Sequence, residues 1–140
     1  MRDILFRGKR TDNGKWVYGL LCRVGDTYAN IRRMDTEVLY SVLTNTVGQY
    51  TGLTDKNGKK IFEGDILQVK QRGETGMKTC AIYSGEYIDA DSVFEDYRCI
   101  GFYLKLVDEC CSIGVLLNSD FEFEIIGNIH DNPELLEVTE

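Results

Sequence analysis

At 140 residues the chain has the length of one domain, or of a core with one appended subdomain, and can bury roughly two-thirds of its unfolded surface. Its composition, 43% hydrophobic and 28% charged with a single proline, excludes a disordered tail or spacer, and no stretch approaches the ~18 apolar residues of a membrane span, so it reads as intracellular. The net charge of -7 is graded along the chain: residues 1–34 carry eight Lys or Arg against three Asp or Glu, residues 35–85 six of each, and residues 86–140 two against fourteen.

Ile4 to Arg7 reads as a short strand, and Asp12-Asn13-Gly14 as a turn into a second strand from Trp16 to Leu21. Trp16 and Tyr18 stand two residues apart, on one face, where they can pack as an aromatic pair. Val24-Gly25-Asp26 turns the chain into an alternating strand from Thr27 to Arg32. Glu37 to Leu43 fits both a period of two and a helical face; its β-branched and aromatic content favours a strand.

Thr46 to Val69 is the organising stretch. An extended run ends in the turn cluster Asp55-Lys56-Asn57-Gly58, the apolar pair Ile61-Phe62 follows, and Gly64-Asp65 launches a strand from Ile66 to Val69. Asn57-Gly58 suits a hairpin turn and Gly64 a bend or bulge, which together build a small, strongly bent sheet. Gln71 to Gly76 is a polar loop before a strand from Lys78 to Tyr83.

Ser84 to Tyr97 mixes carboxylates with Tyr87, Phe94 and Tyr97 and reads as a solvated or partner-facing acidic loop. Asp89 and Asp91 have the spacing of the first two ligands of a calcium loop, but Val93 and Phe94 occupy positions that need a ligand and a glycine, so the template fails. Arg98–Val107 and Ser112–Leu117 read as two strands joined through Asp108 to Cys111, and Phe121–Ile129 as the last. Asn132 as N-cap, Pro133 and Glu134 then start a short helical turn.

Five cysteines without a C-x-x-C pair and a single histidine, His130, point away from a zinc site and toward thiols kept reduced. No nucleophile elbow, P-loop, dinucleotide fingerprint or zinc-protease motif occurs. Nothing here names a catalytic residue, a metal or a cofactor, and the chain reads as a protein other than an enzyme.

Three blocks carry a family resemblance: Phe6-Arg7-Gly8-Lys9 with Gly14-Lys15-Trp16-Val17-Tyr18-Gly19; Thr46 to Leu67; and Ile126-Gly127-Asn128-Ile129-His130-Asp131-Asn132-Pro133-Glu134-Leu135. In order and spacing they resemble the YopX family of small phage and prophage proteins. The resemblance implies a mainly β protein with a small barrel-like part and an N-terminal portion with a role in subunit association. It also implies a phage or prophage origin in Gram-positive bacteria, hence the cytoplasm of the bacterial host, and a family without an established activity, so no site residue carries over.

The expected fold is therefore mainly β with minor α+β character: a small bent sheet or SH3-like barrel over residues 46–140, an N-terminal β-rich portion over 1–45 that serves oligomerisation, and a short C-terminal helical turn. The expected function is that of an accessory protein binding a host or phage protein through Tyr87, Asp89, Asp91, Phe94, Glu95 and Tyr97. The alternative is nucleic-acid binding by a basic face of Arg7, Lys9, Arg10, Arg32 and Arg33, with Trp16, Tyr18 and Tyr28 as stacking surfaces, against which the overall acidity works. The basic start and acidic end would also attract each other, within one subunit or across a homodimer.

Overall fold

Buried and exposed residues alternate along Tyr28–Arg32 and the first half of Trp16–Val24, and the strand registers established among the described residues are antiparallel. The computed structural model describes residues 4–88, 98–106, 109–117 and 120–136. The chain divides into two units, Met1–Gly52 and Leu53–Glu140.

The first unit contains β1 (Phe6–Lys9), β2 (Trp16–Val24), β3 (Tyr28–Arg32), β4 (Leu39–Leu43), a 3-10 turn at Thr44–Thr46 and β5 (Gly48–Thr54), whose end passes into the second unit. Strand order is β4-β3-β2-β1-β5, so the four-residue β1 lies between β2 and β5, with Lys9 opposite Trp16 and Phe6 opposite both Gly19 and Gln49. β2 changes register between Leu21 and Arg23, a bulge that bends it toward β3. The curl is tight enough for Arg10, just past β1, to bridge Val42 of β4, and for the Thr11 N–H to donate to the Ser41 carbonyl at 3.0 Å.

Val17, Ala29, Ile31 and Val42 fill the inside of this curl. Two glycines permit it. A Cβ at Gly8 would stand 2.9 Å from Val42 Cγ2 and 3.2 Å from Ile31 Cδ1; a Cβ at Gly19 would stand 1.9 Å from the Arg32 carbonyl oxygen. The strand expected from Glu37 begins two residues later, because Glu37 takes a left-handed φ of 59° in the turn after Arg33, where its N–H donates to the Arg33 carbonyl.

The second unit turns the end of β5 back at Asp55–Gly58 into β6 (Lys60–Phe62), then runs through β7 (Asp65–Gln71), β8 (Met77–Ile88), β9 (Arg98–Lys105), β10 (Cys110–Ser112), a 3-10 turn at Ile113–Leu117, β11 (Phe121–Asn128) and a 3-10 turn at Pro133–Leu136. The sheet order is β10-β9-β8-β7-β11. Its core is Ile61, Leu67, Cys80, Ile82, Leu104 and Leu116. Burial pushes the Cys80 thiol up to about 12, with Cys111 nearby adding to the effect, so Cys80 stays a protonated apolar residue across the physiological range.

Two expectations are corrected here. The end strands of the sheets do not pair with each other, so neither sheet closes into a barrel and the SH3-like description does not apply. Ser112–Leu117 is not a strand: pairing with β9 ends at Ser112, and Ile113–Leu117 coils into a 3-10 turn that buries Leu116 in the core. β8 is also longer than expected, since the first five residues of the acidic segment, Ser84 to Ile88, continue the strand opposite Arg98–Phe102.

The Asp55 turn is held by one carboxylate. Asp55 Oδ1 accepts from the N–H groups of Asn57 and Lys59, both at 2.9 Å, and Oδ2 accepts from the Ile125 N–H at 3.0 Å. The Lys56 N–H donates to the Phe123 carbonyl at 3.1 Å and the Asn57 side-chain amide to Glu124 at 3.0 Å, so the turn lies along the outer side of β11. Burial alone would raise the Asp55 pKa, but donation from Ile125, Lys59 and Asn57, with the Lys59 charge, holds it below the ordinary carboxylate range.

Candidate functional site

Side chains of the second and third family-like blocks close turns of the fold. Gly64 at φ 94° makes the turn from β6 to β7, where buried Asp65 accepts the Phe62 N–H at 2.7 Å. Asp65 is a turn-closing carboxylate, and Glu63 receives the Ser84 hydroxyl at 2.7 Å. At the end of β11, Asn128 Oδ1 accepts from the N–H groups of His130 and Asp131. Asn132 Oδ1 packs where a Cβ at Gly127 would stand 2.6 Å away. His130 thus sits in a side-chain-capped turn. Among the described residues no group of three His, Cys, Asp or Glu gathers in metal-binding geometry.

The basic residues of the first unit are largely engaged by its own side chains. The Arg7 guanidinium lies 4.6 Å from the Trp16 ring centroid and is 6% exposed, and the Lys9 ammonium approaches the same ring at 5.6 Å. A desolvated cation on an indole face contributes about 2 kcal/mol, so these contacts favour the folded unit. Arg10 grips Asp12 through Nε at 3.0 Å and Nη2 at 2.6 Å, and Arg33 grips Asp35 with the same distances. These hydrogen bonds raise both arginine pKa values and lower both aspartates. Arg10 also stacks 4.5 Å from the Tyr40 ring. Arg32 is exposed. The repeated spacing Arg-x-Asp, at Arg10-Thr11-Asp12 and Arg33-Met34-Asp35, is the signal in the sequence that marked these pairs.

A groove of about 410 Å³ opens in the same unit, lined by Leu5, Trp16, Tyr18, Arg33, Met34 and Asp35 among others. Its one basic side chain is the one bound to Asp35, so the lining is close to neutral. Tyr28, expected as a third stacking ring, is exposed and is not part of this lining.

On the second unit the β8–β9 hairpin carries the other surface. Tyr87, expected as a partner contact, is 9% exposed and stacks on Tyr103 with ring centroids 4.7 Å apart. Asp89, Asp91, Phe94, Glu95 and Tyr97 lie outside the described residues. On the opposite face of the hairpin Ile88 and Ile100 are 57% and 87% exposed, beside a Glu86–Arg98 ion pair of 3.1 Å. Sequence reasoning did not single out Ile100; its place opposite Glu86 in the ladder is what brings it to the surface.

The family model described as "YopX protein" matches residues 5–137. The chain belongs to the YopX family. Among curated proteins none matches. This YopX chain is also similar to a solved structure, protein EF1440 from Enterococcus faecalis, with 25% identity, 98% of this chain and 100% of that chain covered, and a TM-score of 0.52. The YopX match spans both units.

Proposed function

We propose that this YopX protein is a phage or prophage accessory protein that works without catalysis in the cytoplasm of the bacterial host, binding a host or phage protein through the β8–β9 hairpin. The observation that carries the reading is Ile100, a large apolar residue 87% exposed within a regular strand, with Ile88 on the same face. Isolated exposed apolar residues are ordinary, but two on one face of a short ribbon, rimmed by an ion pair, form a small anchor for a partner. The surrounding charge defines the partner's chemistry: residues 86–140 hold fourteen carboxylates against two cations, which favours an apolar surface with a basic rim.

A benzophenone amino acid at position 100 is expected to crosslink one discrete protein of that character, and Ile88→Lys to remove the crosslink. With the partner purified, Ile100→Lys is expected to weaken binding at least tenfold, roughly 1.4 kcal/mol, at an unchanged melting temperature. Equal affinity of Ile100→Lys and the parent protein would refute the reading.

Nucleic-acid binding stays as a second reading because the groove combines Trp16 and Tyr18 with Arg33. It requires a Kd that rises steeply with salt, and a flat response between 50 and 200 mM, on the scale expected for phosphate contacts, removes it. Pairing of copies, basic portion against acidic portion, belongs to the same proposal and is removed by a monomeric mass at micromolar concentration.

A further inference from the structure

The β8–β9 ladder runs in unbroken register from Ala81 opposite Lys105 to Ile88 opposite Arg98. One row of it is unlike the rest. Gly85 stands directly opposite Gly101, and both have positive φ, 129° and 149°, a backbone state that side-chain-bearing residues rarely adopt. A Cβ on either would meet nothing within 4 Å, so crowding does not select glycine here; the backbone angle does. Two such residues facing each other put the weakest point of both strands in one row.

Tyr87 lies beyond that row and Tyr103 before it, two rows apart on either side of the glycines. In a flat ribbon their Cα atoms would be roughly 13 Å apart along the strands. Their rings nevertheless stack at 4.7 Å with planes 26° apart, and Tyr87 is buried. Tyr83, opposite Tyr103, extends the ring cluster at 5.9 Å. The ladder is therefore bent toward the tyrosine face, with the glycine row lying between the two stacked rings. The convex side of the bend presents Glu86, Ile88, Arg98 and Ile100.

We infer that the outer half of the β8–β9 hairpin is a hinged arm, bending at the Gly85–Gly101 row and latched shut by the Tyr87–Tyr103 stack, which sets how Ile88 and Ile100 are offered to a partner. The latch is weak by construction: a ring pair contributes a factor of about two to twelve in an equilibrium beyond its area burial. Release leaves the inner backbone rows paired, because Ile82 and Leu104 anchor them in the core. The arm thus opens as a local unit well below the cost of global unfolding. The effect on partner affinity rests on the function proposed above; the hinge itself does not.

Hydrogen exchange of the full chain tests it without any partner. In Tyr87→Ala the amides of residues 86–88 and 98–100 are expected to exchange roughly tenfold faster than in the parent, while those of residues 81–84 and 102–105 keep their rates. Tyr87→Phe, which keeps the ring, is expected to behave as the parent does. Equal acceleration on both sides of the glycine row, or none beyond it, would overturn the hinge. Should Tyr87→Ala not fold, relaxation dispersion on the parent protein decides: exchange confined to residues 85–88 and 98–101 is expected, and exchange that is absent there, or spread evenly over the sheet, overturns it. A partner unaffected by Ile100→Lys would remove the proposed function and leave this result standing.

Discussion

Gly19→Ala is expected to cost about 3 kcal/mol, more than an ordinary glycine-to-alanine change and opposite in sign to the usual gain from stiffening the unfolded chain. The cause is backbone against backbone. A methyl group at position 19 would meet the Arg32 carbonyl oxygen at 1.9 Å and its carbon at 2.7 Å, and neither atom can rotate away as a side-chain tip would. Relief requires β2 and β3 to move apart where Leu20 pairs with Arg32, just below the Leu21–Arg23 bulge, and that motion opens the packing around Ile31. Gly76→Ala is the control: position 76 has space for a Cβ and no left-handed φ, so its stability should change by less than about 0.5 kcal/mol. Denaturant midpoints measure both, and near-equal values for the two variants would show that the β2–β3 approach is not a constraint.

The second large effect is expected at Asp55. Asp55→Ala leaves three N–H groups without their acceptor, two in the turn and one on β11, and is expected to cost about 3 kcal/mol. Asp55→Asn should recover only part of this, since its amide nitrogen offers a hydrogen to a site that supplies donors. The same carboxylate makes stability depend on pH. Its pKa is depressed in the folded chain, so the unfolded chain takes up its proton first as pH falls. The stabilisation is present in full above the unfolded value near 4 and is lost as pH drops through the lower folded value. Asp55→Asn should therefore flatten the acid limb of the stability curve as pH falls below the ordinary aspartate range, relative to the parent. An acid limb identical in the two proteins would show that Asp55 is not the titrating group.

Much of the β architecture was legible because its determinants are local. Asp12-Asn13-Gly14 and Asn57-Gly58 mark turns, and Gly14, Gly58 and Gly64 all adopt positive φ. Within the strands so read, Val17, Ile31, Val42 and Ile82 are buried, and on β2 it is Val17 rather than the aromatic pair Trp16 and Tyr18 that faces the core, so alternation found the strand without naming its inner face. What escaped the sequence was what depends on distant partners. Ser84 to Ile88 looks like a polar loop until β9 provides the ladder that makes it a strand. Ile113 to Leu117 is a five-residue apolar run, for which strand and helical periods cannot be told apart, and only the position of Leu116 over the core decides it. Gly8 at the end of one expected strand and Gly19 inside the next carry no local signal of their role, which is to admit Val42 and the Arg32 carbonyl, contacts made across 34 and 13 residues. As for the site, the sequence left the basic residues either attracted to the acidic portion or exposed as a basic face, and did not show that Arg10 and Arg33 pair with aspartates two residues away or that Arg7 packs on Trp16.

The turn lying along β11 has a further consequence. A strand at the margin of a sheet is a template onto which another copy of the chain can add, and repeated addition gives cross-β aggregates. Asp55 and Lys56 occupy main-chain groups of Ile125 and Phe123 that such a copy would need, and the opposite margin, Cys110–Ser112, is only three residues long. The hairpin between β5 and β6 therefore acts as a guard against self-templating, so Asp55→Ala at high concentration should gain thioflavin signal on standing while the parent protein remains dispersed.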